Sequence, residues 1–194
     1  MSELTPAASR KTRSPSSGVL GVLVFAATEA TLFGTLIATY FYLRLNADRW
    51  PPEGVEEPTV ALPIAITAAL VLTTAPVLLA AVAAARGRRA SAWLLVLGAS
   101  LIQAGYLAWQ IVLYFDDLSK FGPDETTYGS IYFTLLGTHH IHVAIGLLLD
   151  LWVLVRLAAG LTPYRVSTVR VVAIYWVLVN AIAVLVTATQ VSAA

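Results

Sequence analysis

The stretch LLGTHHIHVAIG, residues 135–146, places all three histidines of the chain inside an apolar run that extends over 128–157. About 20 such residues in a helix cross the hydrocarbon layer of a bilayer. Whether this run is a membrane span or a soluble core decides the fold, and the composition answers. Of 194 residues, 58% are hydrophobic and only 12% charged. The mean hydropathy is +0.78, well above that of an ordinary soluble domain. The chain reads as an integral membrane protein.

Working outward, four more runs of spanning length lie at 18–43, 59–85, 91–115 and 168–190. With short connections between them, they predict an all-α bundle of five transmembrane helices over 18–190. The segment MSELTPAASRKTRSPSS, residues 1–17, is polar and basic and reads as a disordered cytoplasmic tail. The apolar run behind it, about 25 residues long, exceeds the h-region of a signal peptide and is expected to be retained. Cations gather before the first run (Arg10, Lys11, Arg13), in the second connection (Arg86, Arg88, Arg89) and around the fourth (Arg156, Arg165, Arg170). The other two connections are acidic, with Asp48, Glu53, Glu56 and Glu57, then Asp116, Asp117, Asp124 and Glu125. The positive-inside rule then sets the amino terminus in the cytoplasm and the carboxyl terminus outside. With no cysteine, thiolate metal sites, iron–sulfur clusters and thiol nucleophiles are excluded within the chain, and a net charge of +1 argues against a nucleic-acid partner. Pro63 and Pro76 fall in the second run, where Thr73 and Thr74 could satisfy the carbonyl that Pro76 frees, so a local bend is expected there.

Ionisable groups inside hydrocarbon are costly, so each marks a candidate site. They are Glu29 in the first run and His139, His140, His142 and Asp150 in the fourth. At about 100° per residue, His139 and His142 lie about 60° apart on one helix face, with Gly146 and Asp150 continuing the stripe, and His140 points elsewhere. At about 1.5 Å per residue, Glu29 lies roughly 16 Å inside the first run and His142 roughly 21 Å from Arg156, depths compatible with direct contact. A carboxylate facing an imidazole in low dielectric satisfies both groups. Two uses of such a contact stand side by side: polar glue fixing the helix register, or a proton-handling or lipid-headgroup role. A metal or haem site fits less well. Two histidines at i, i+3 would need Glu29 and Asp150 to complete the set, an unusual one for a transition metal. Histidines confined to one helix also cannot ligate both faces of a porphyrin. Asp150, about 9 Å along the helix from Arg156, is expected to snorkel to water. Gln103 and Gln110 share a helix face, and Gln110 is expected to bond a neighbouring helix. Tyr40, Tyr42, Trp50, Tyr114, Tyr128 and Tyr132 fit an external aromatic belt.

Four stretches in order carry a family resemblance: TEATLFG (28–34) with ATYFYLR (38–44), WPPEG (50–54), YGSIYFTLLGTHHIHVAIG (128–146) and YWVLVN (175–180). The turn Trp50-Pro51-Pro52-x-Gly54 and the pattern Gly137-x-His139-x-x-His142-Val143 are the most specific. The chain thus resembles subunit III of the haem–copper respiratory oxidases, cytochrome c oxidase in particular, in its short five-helix bacterial form. The resemblance implies an accessory subunit of the bacterial inner membrane with no redox centre of its own. Haem and copper would belong to a partner, catalytic subunit I, with subunit II alongside. It further implies stabilisation of the catalytic subunit, help with proton uptake and bound phospholipid. By position, Glu29 matches the family's intramembrane glutamate, and His139 and His142 its histidine pair. There are departures: Val177 and Asn180 replace a family histidine and aspartate, Leu113 replaces an acid three residues after Gln110, His140 stands at a usual glycine, and the two extra amino-terminal helices of longer members are absent. Service to a related quinol oxidase or nitric oxide reductase is the alternative. A small proton-coupled transporter using Glu29, His142 and Asp150 is another, weakened because no inverted repeat is found. A membrane enzyme using the histidines as general bases lacks a nucleophile or metal set.

Overall fold

The computed structural model describes residues 17–56 and 60–193. The basic segment 1–16, with Arg10, Lys11 and Arg13, lies outside the described residues, as do Glu57 and Thr59, where the second span was expected to start. Ser17, assigned above to the tail, is the first residue of a helix.

All regular structure among the described residues is helical: α1 (Ser17–Leu45), α2 (Ala61–Leu72), α3 (Thr74–Ala85), α4 (Arg89–Lys120), α5 (Thr127–Ala158) and α6 (Pro163–Val191). Helices α2 and α3 together make one span, so among the described residues five helices are long and apolar enough to cross a membrane. The third and fifth run beyond the limits drawn from hydropathy, because helix continues into the polar ends where lipid no longer demands apolar side chains. Local chemistry fixes two of the starts. The Thr126 hydroxyl accepts from Gly129 N at 3.0 Å, and the Thr162 hydroxyl accepts from Arg165 N at 3.2 Å with Pro163 opening α6.

The expected bend sits at Thr73, where the helix is interrupted between α2 and α3 while the residue keeps right-handed helical angles of φ −66° and ψ −14°. The Thr73 hydroxyl donates to Leu70 O at 2.6 Å, so the carbonyl it reaches lies before the break and is not the one that Pro76 frees. The break is held from outside the span. Gln103 on α4 donates to Thr73 Oγ1 at 3.1 Å, and Asn180 on α6 donates to Thr74 Oγ1 at 2.8 Å.

Helix α6 is the hub, packing against α1, α2, α3 and α5, while α4 lies against α2, α3 and α5. Among the described helices α1 packs against α5 and α6 alone, and it presents Leu20, Leu23, Val24 and Leu32 outward. Between helices in lipid, close packing and polar contacts replace the hydrophobic drive. Small residues such as Ala80, Ala83, Ala84, Ala92 and Ala99 accordingly fill the interior, with Trp176 fully buried among them.

The aromatic belt differs from expectation. Tyr40, Tyr128 and Tyr132 are buried, and with Trp50, Phe121 and Phe133 they form an internal cluster at the acidic end of the bundle. Tyr42, 66% exposed, faces outward as an anchor would.

Candidate functional site: a buried carboxylate–imidazole contact

Glu29 projects from the middle of α1 and His142 from the middle of α5. Their side chains meet with His142 Nε2 2.7 Å from Glu29 Oε2, at side-chain exposures of 10% and 12%. The two groups lie within ion-pair distance, with no donor aligned on Oε2 as a hydrogen bond. The other ring nitrogen, Nδ1, lies 2.7 Å from Thr138 O, one turn back on α5. A carbonyl only accepts, so Nδ1 carries the proton that it donates. Nε2 therefore faces the carboxylate with either an imidazolium proton or a lone pair. In a dry setting the pair is stable when one proton lies between the two groups, keeping it neutral overall. Phe33, 1% exposed, closes the site from α1 with its ring edge-on to the imidazole at 5.3 Å. Tyr175 on α6 donates to His142 O at 2.7 Å and fixes this level of α5.

The histidines are not one cluster. His139, counted on the same face as His142, turns toward α4, where its Nε2 lies 3.2 Å from the Tyr106 hydroxyl. His140 packs edge-on against Tyr114 with ring centroids 5.7 Å apart, and its Nε2 is buried without a partner. The residues therefore do not fit a metal: among the described residues no three of His, Asp and Glu converge.

Two secondary expectations change. Gln110 donates to Tyr106 Oη at 3.2 Å within its own helix, whereas it is Gln103 that crosses to a neighbour. Asp150 does not snorkel. It is 2% exposed, accepts from Trp176 Nε1 at 2.9 Å through Oδ1, and accepts from Ser100 Oγ at 3.0 Å through Oδ2. Sequence reading missed Tyr106, Thr138, Ser100 and Trp176 as partners. Tyr106 and Gln110 stand at i, i+4 spacing, a signal that could have paired them.

The turn at 50–54 is tied to the bundle. Trp50 Nε1 donates to Tyr40 Oη at 3.0 Å, Trp50 packs on Tyr128 at 5.0 Å, Pro51 is buried, and Gly54 has φ 89°. At the opposite, basic end, a groove of about 450 Å³ opens between α1, α5 and α6, lined by Val22, Leu149, Trp152, Tyr164 and Val172 among others. The Arg156 guanidinium stands 5.9 Å from the ring centres of both Trp152 and Tyr164, and its Nε is buried without a partner.

The family model described as cytochrome c oxidase subunit III matches residues 7–189. The chain belongs to that family. Among its relatives, cytochrome c oxidase subunit 3 of Thermostichus vulcanus is 30% identical over 174 residues, covering 87% of this chain and 83% of the relative. Cytochrome c oxidase subunit 3 of Bacillus subtilis is 32% identical over 161 residues, covering 81% and 77%. Quinol oxidase subunit 3 of Bacillus spizizenii is 30% identical over 164 residues, covering 81% and 78%. As a subunit III, the protein is a multi-pass membrane component of the respiratory chain, an accessory subunit of a haem–copper oxidase.

Proposed function

We propose that this subunit III braces the catalytic subunit I, beside subunit II, in the bacterial inner membrane. In this reading its amino terminus is cytoplasmic and its carboxyl terminus external, it retains phospholipid, and it assists proton uptake on the cytoplasmic side. The carrying observation is the nearly dry Glu29–His142 contact, whose Nδ1 is committed to Thr138 O. Such a pair can hold one proton between a carboxylate and an imidazole without leaving a bare charge in hydrocarbon. It also joins α1, which has few other neighbours, to the bundle. Lipid retention is supported by the groove at the basic end, where apolar walls meet Arg156, a half-buried cation whose Nε has no partner and which makes no ion pair with a carboxylate among the described residues. An acyl chain suits the walls, and a phosphate suits the guanidinium.

The test is purification of the native complex that holds this chain. Co-purification of a haem- and copper-bearing subunit with oxidase activity supports the reading, and a complex without one overturns it. Because relatives include subunits named for both cytochrome c and quinol oxidases, the same preparation is assayed with each donor. Transport by the isolated chain in liposomes would instead favour a transporter.

A further inference from the structure

At the acidic end of the bundle a cavity of about 550 Å³ lies under the α1–α2 and α4–α5 connections. Its mouth carries Glu56, Asp116, Asp117 and Lys120, and its floor is reached by Pro63, Gln110 and Leu136. The volume has room for on the order of ten waters. Lys120 is taken by Asp116 at 2.7 Å, and Asp117 Oδ2 accepts from Tyr132 at 2.6 Å, which leaves the mouth with an excess of negative charge.

A polar stripe continues from the floor. Gln103, Tyr106, Gln110 and Asp117 fall within an arc of about 60° on α4, and Gln110 hands on to Tyr106 and His139. One turn further, Gln103 reaches the break at Thr73, which Asn180 approaches from α6. At about 1.5 Å per residue, Gln103 is roughly 26 Å from Lys120 and 21 Å from Arg89, near mid-depth. Here two acceptors are orphaned. Gln103 Oε1 and Asn180 Oδ1 are buried with no hydrogen-bond partner, in residues 0% and 3% exposed. Each amide donates to a threonine hydroxyl of the break, and its oxygen only accepts, so a partner for either oxygen must be a donor. Water can donate; a carboxylate or other anion cannot. Beyond the break the interior closes with Val77, Ala80, Ala84 and Val96, all apolar and at most 4% exposed.

We propose that this cavity is a blind, water-filled vestibule with a cation-selective mouth, and that water follows the α4 stripe past Gln110 to the orphaned amides at the Thr73 break. It is blind because Val77, Ala80, Ala84 and Val96 close the interior beyond the break, and the Ser100–Asp150–Trp176 group on the basic side of that level makes its hydrogen bonds within the protein.

The chain has no cysteine, so single thiols in this subunit report cleanly within the intact oxidase complex. Gln110→Cys is expected to react with 2-aminoethyl methanethiosulfonate about tenfold faster than with the anionic 2-sulfonatoethyl reagent, because an acidic mouth concentrates cations. Val112→Cys, at similar depth on the outward face, stays unmodified. Radiolytic hydroxyl-radical footprinting of the wild-type complex is the second measurement and needs no variant to assemble. Oxidation of Tyr106 well above that of Tyr175, buried on the far side of α5, supports hydration along the stripe. Tyr106 protected to the same degree as Tyr175, or a Gln110→Cys thiol inert to both reagents, overturns the vestibule.

Discussion

Trp176 Nε1 donates to Asp150 Oδ1 at 2.9 Å, and Ser100 holds the other carboxyl oxygen, so one buried acid joins α4, α5 and α6. Asp150→Ala strands the indole N–H of a residue with 0% exposure. Leaving a buried donor unmade costs about 1–3 kcal/mol. Asp150→Asn keeps a carbonyl oxygen for the indole and is expected to lose less. Thermal unfolding of the purified complex, or the fraction of subunit III retained through detergent extraction, ranks the variants. Equal behaviour of Ala and Asn would remove the indole bond as the reason for the acid.

Gly146 makes that bond possible by steric means. A Cβ at this position would lie 2.6 Å from Trp176 Cζ2 and 2.9 Å from Cη2, and the fully buried ring has nowhere to retreat. Gly146→Ala is expected to push α5 and α6 apart at a cost of about 1–3 kcal/mol, as overpacking does. Trp176→Phe in the same chain restores space and should recover part of the loss. A double variant no better than Gly146→Ala alone would contradict the close approach.

These two residues also show what the sequence could and could not disclose. Span number follows from hydropathy, because hydrocarbon imposes the same length and polarity on every crossing helix. The break at Thr73 was foreshadowed by Pro76, since a missing N–H weakens the helix wherever it falls. Side-chain partners across helices are another matter. Counting at about 100° per residue put His139 and His142 on one face, yet an arc of about 60° is wide enough for one ring to meet α1 and the other α4. The short distance to Arg156 along one helix points Asp150 to water. Its fate was set by Ser100 and Trp176, 50 and 26 residues away in the chain, which no local pattern reports.

The turn at 50–54 is expected to act as a latch on the acidic end. Trp50 is held by its bond to Tyr40 and by edge-on packing against Tyr40 and Tyr128. Trp50→Phe keeps most of the ring contact and removes one hydrogen bond, worth about 0.5–1.5 kcal/mol; Trp50→Ala removes both. Limited proteolysis of the complex should cut within residues 46–56 faster in Trp50→Ala than in Trp50→Phe, and slowest in wild type. Indistinguishable cleavage in all three would mean that the latch is held by other contacts.

Glu29 is the sharpest test of the paired site. Glu29→Ala leaves the His142 imidazole beside Phe33 with Nε2 unpartnered, a loss of about 1–3 kcal/mol, and it releases a tie between α1 and α5. The expected result is a lower unfolding temperature and faster loss of activity during turnover, with initial activity less affected. Glu29→Gln separates packing from charge. An amide fills the same space and can donate to a neutral Nε2, while Nδ1 stays on Thr138 O. It should recover most of the stability but not the capacity to bind a proton as a carboxylate does. Stability restored by Gln with proton uptake still slowed assigns the pair to proton handling; both restored assigns it to packing. If Glu29→Ala matched wild type in unfolding temperature and inactivation rate, the 2.7 Å contact would have no energetic role.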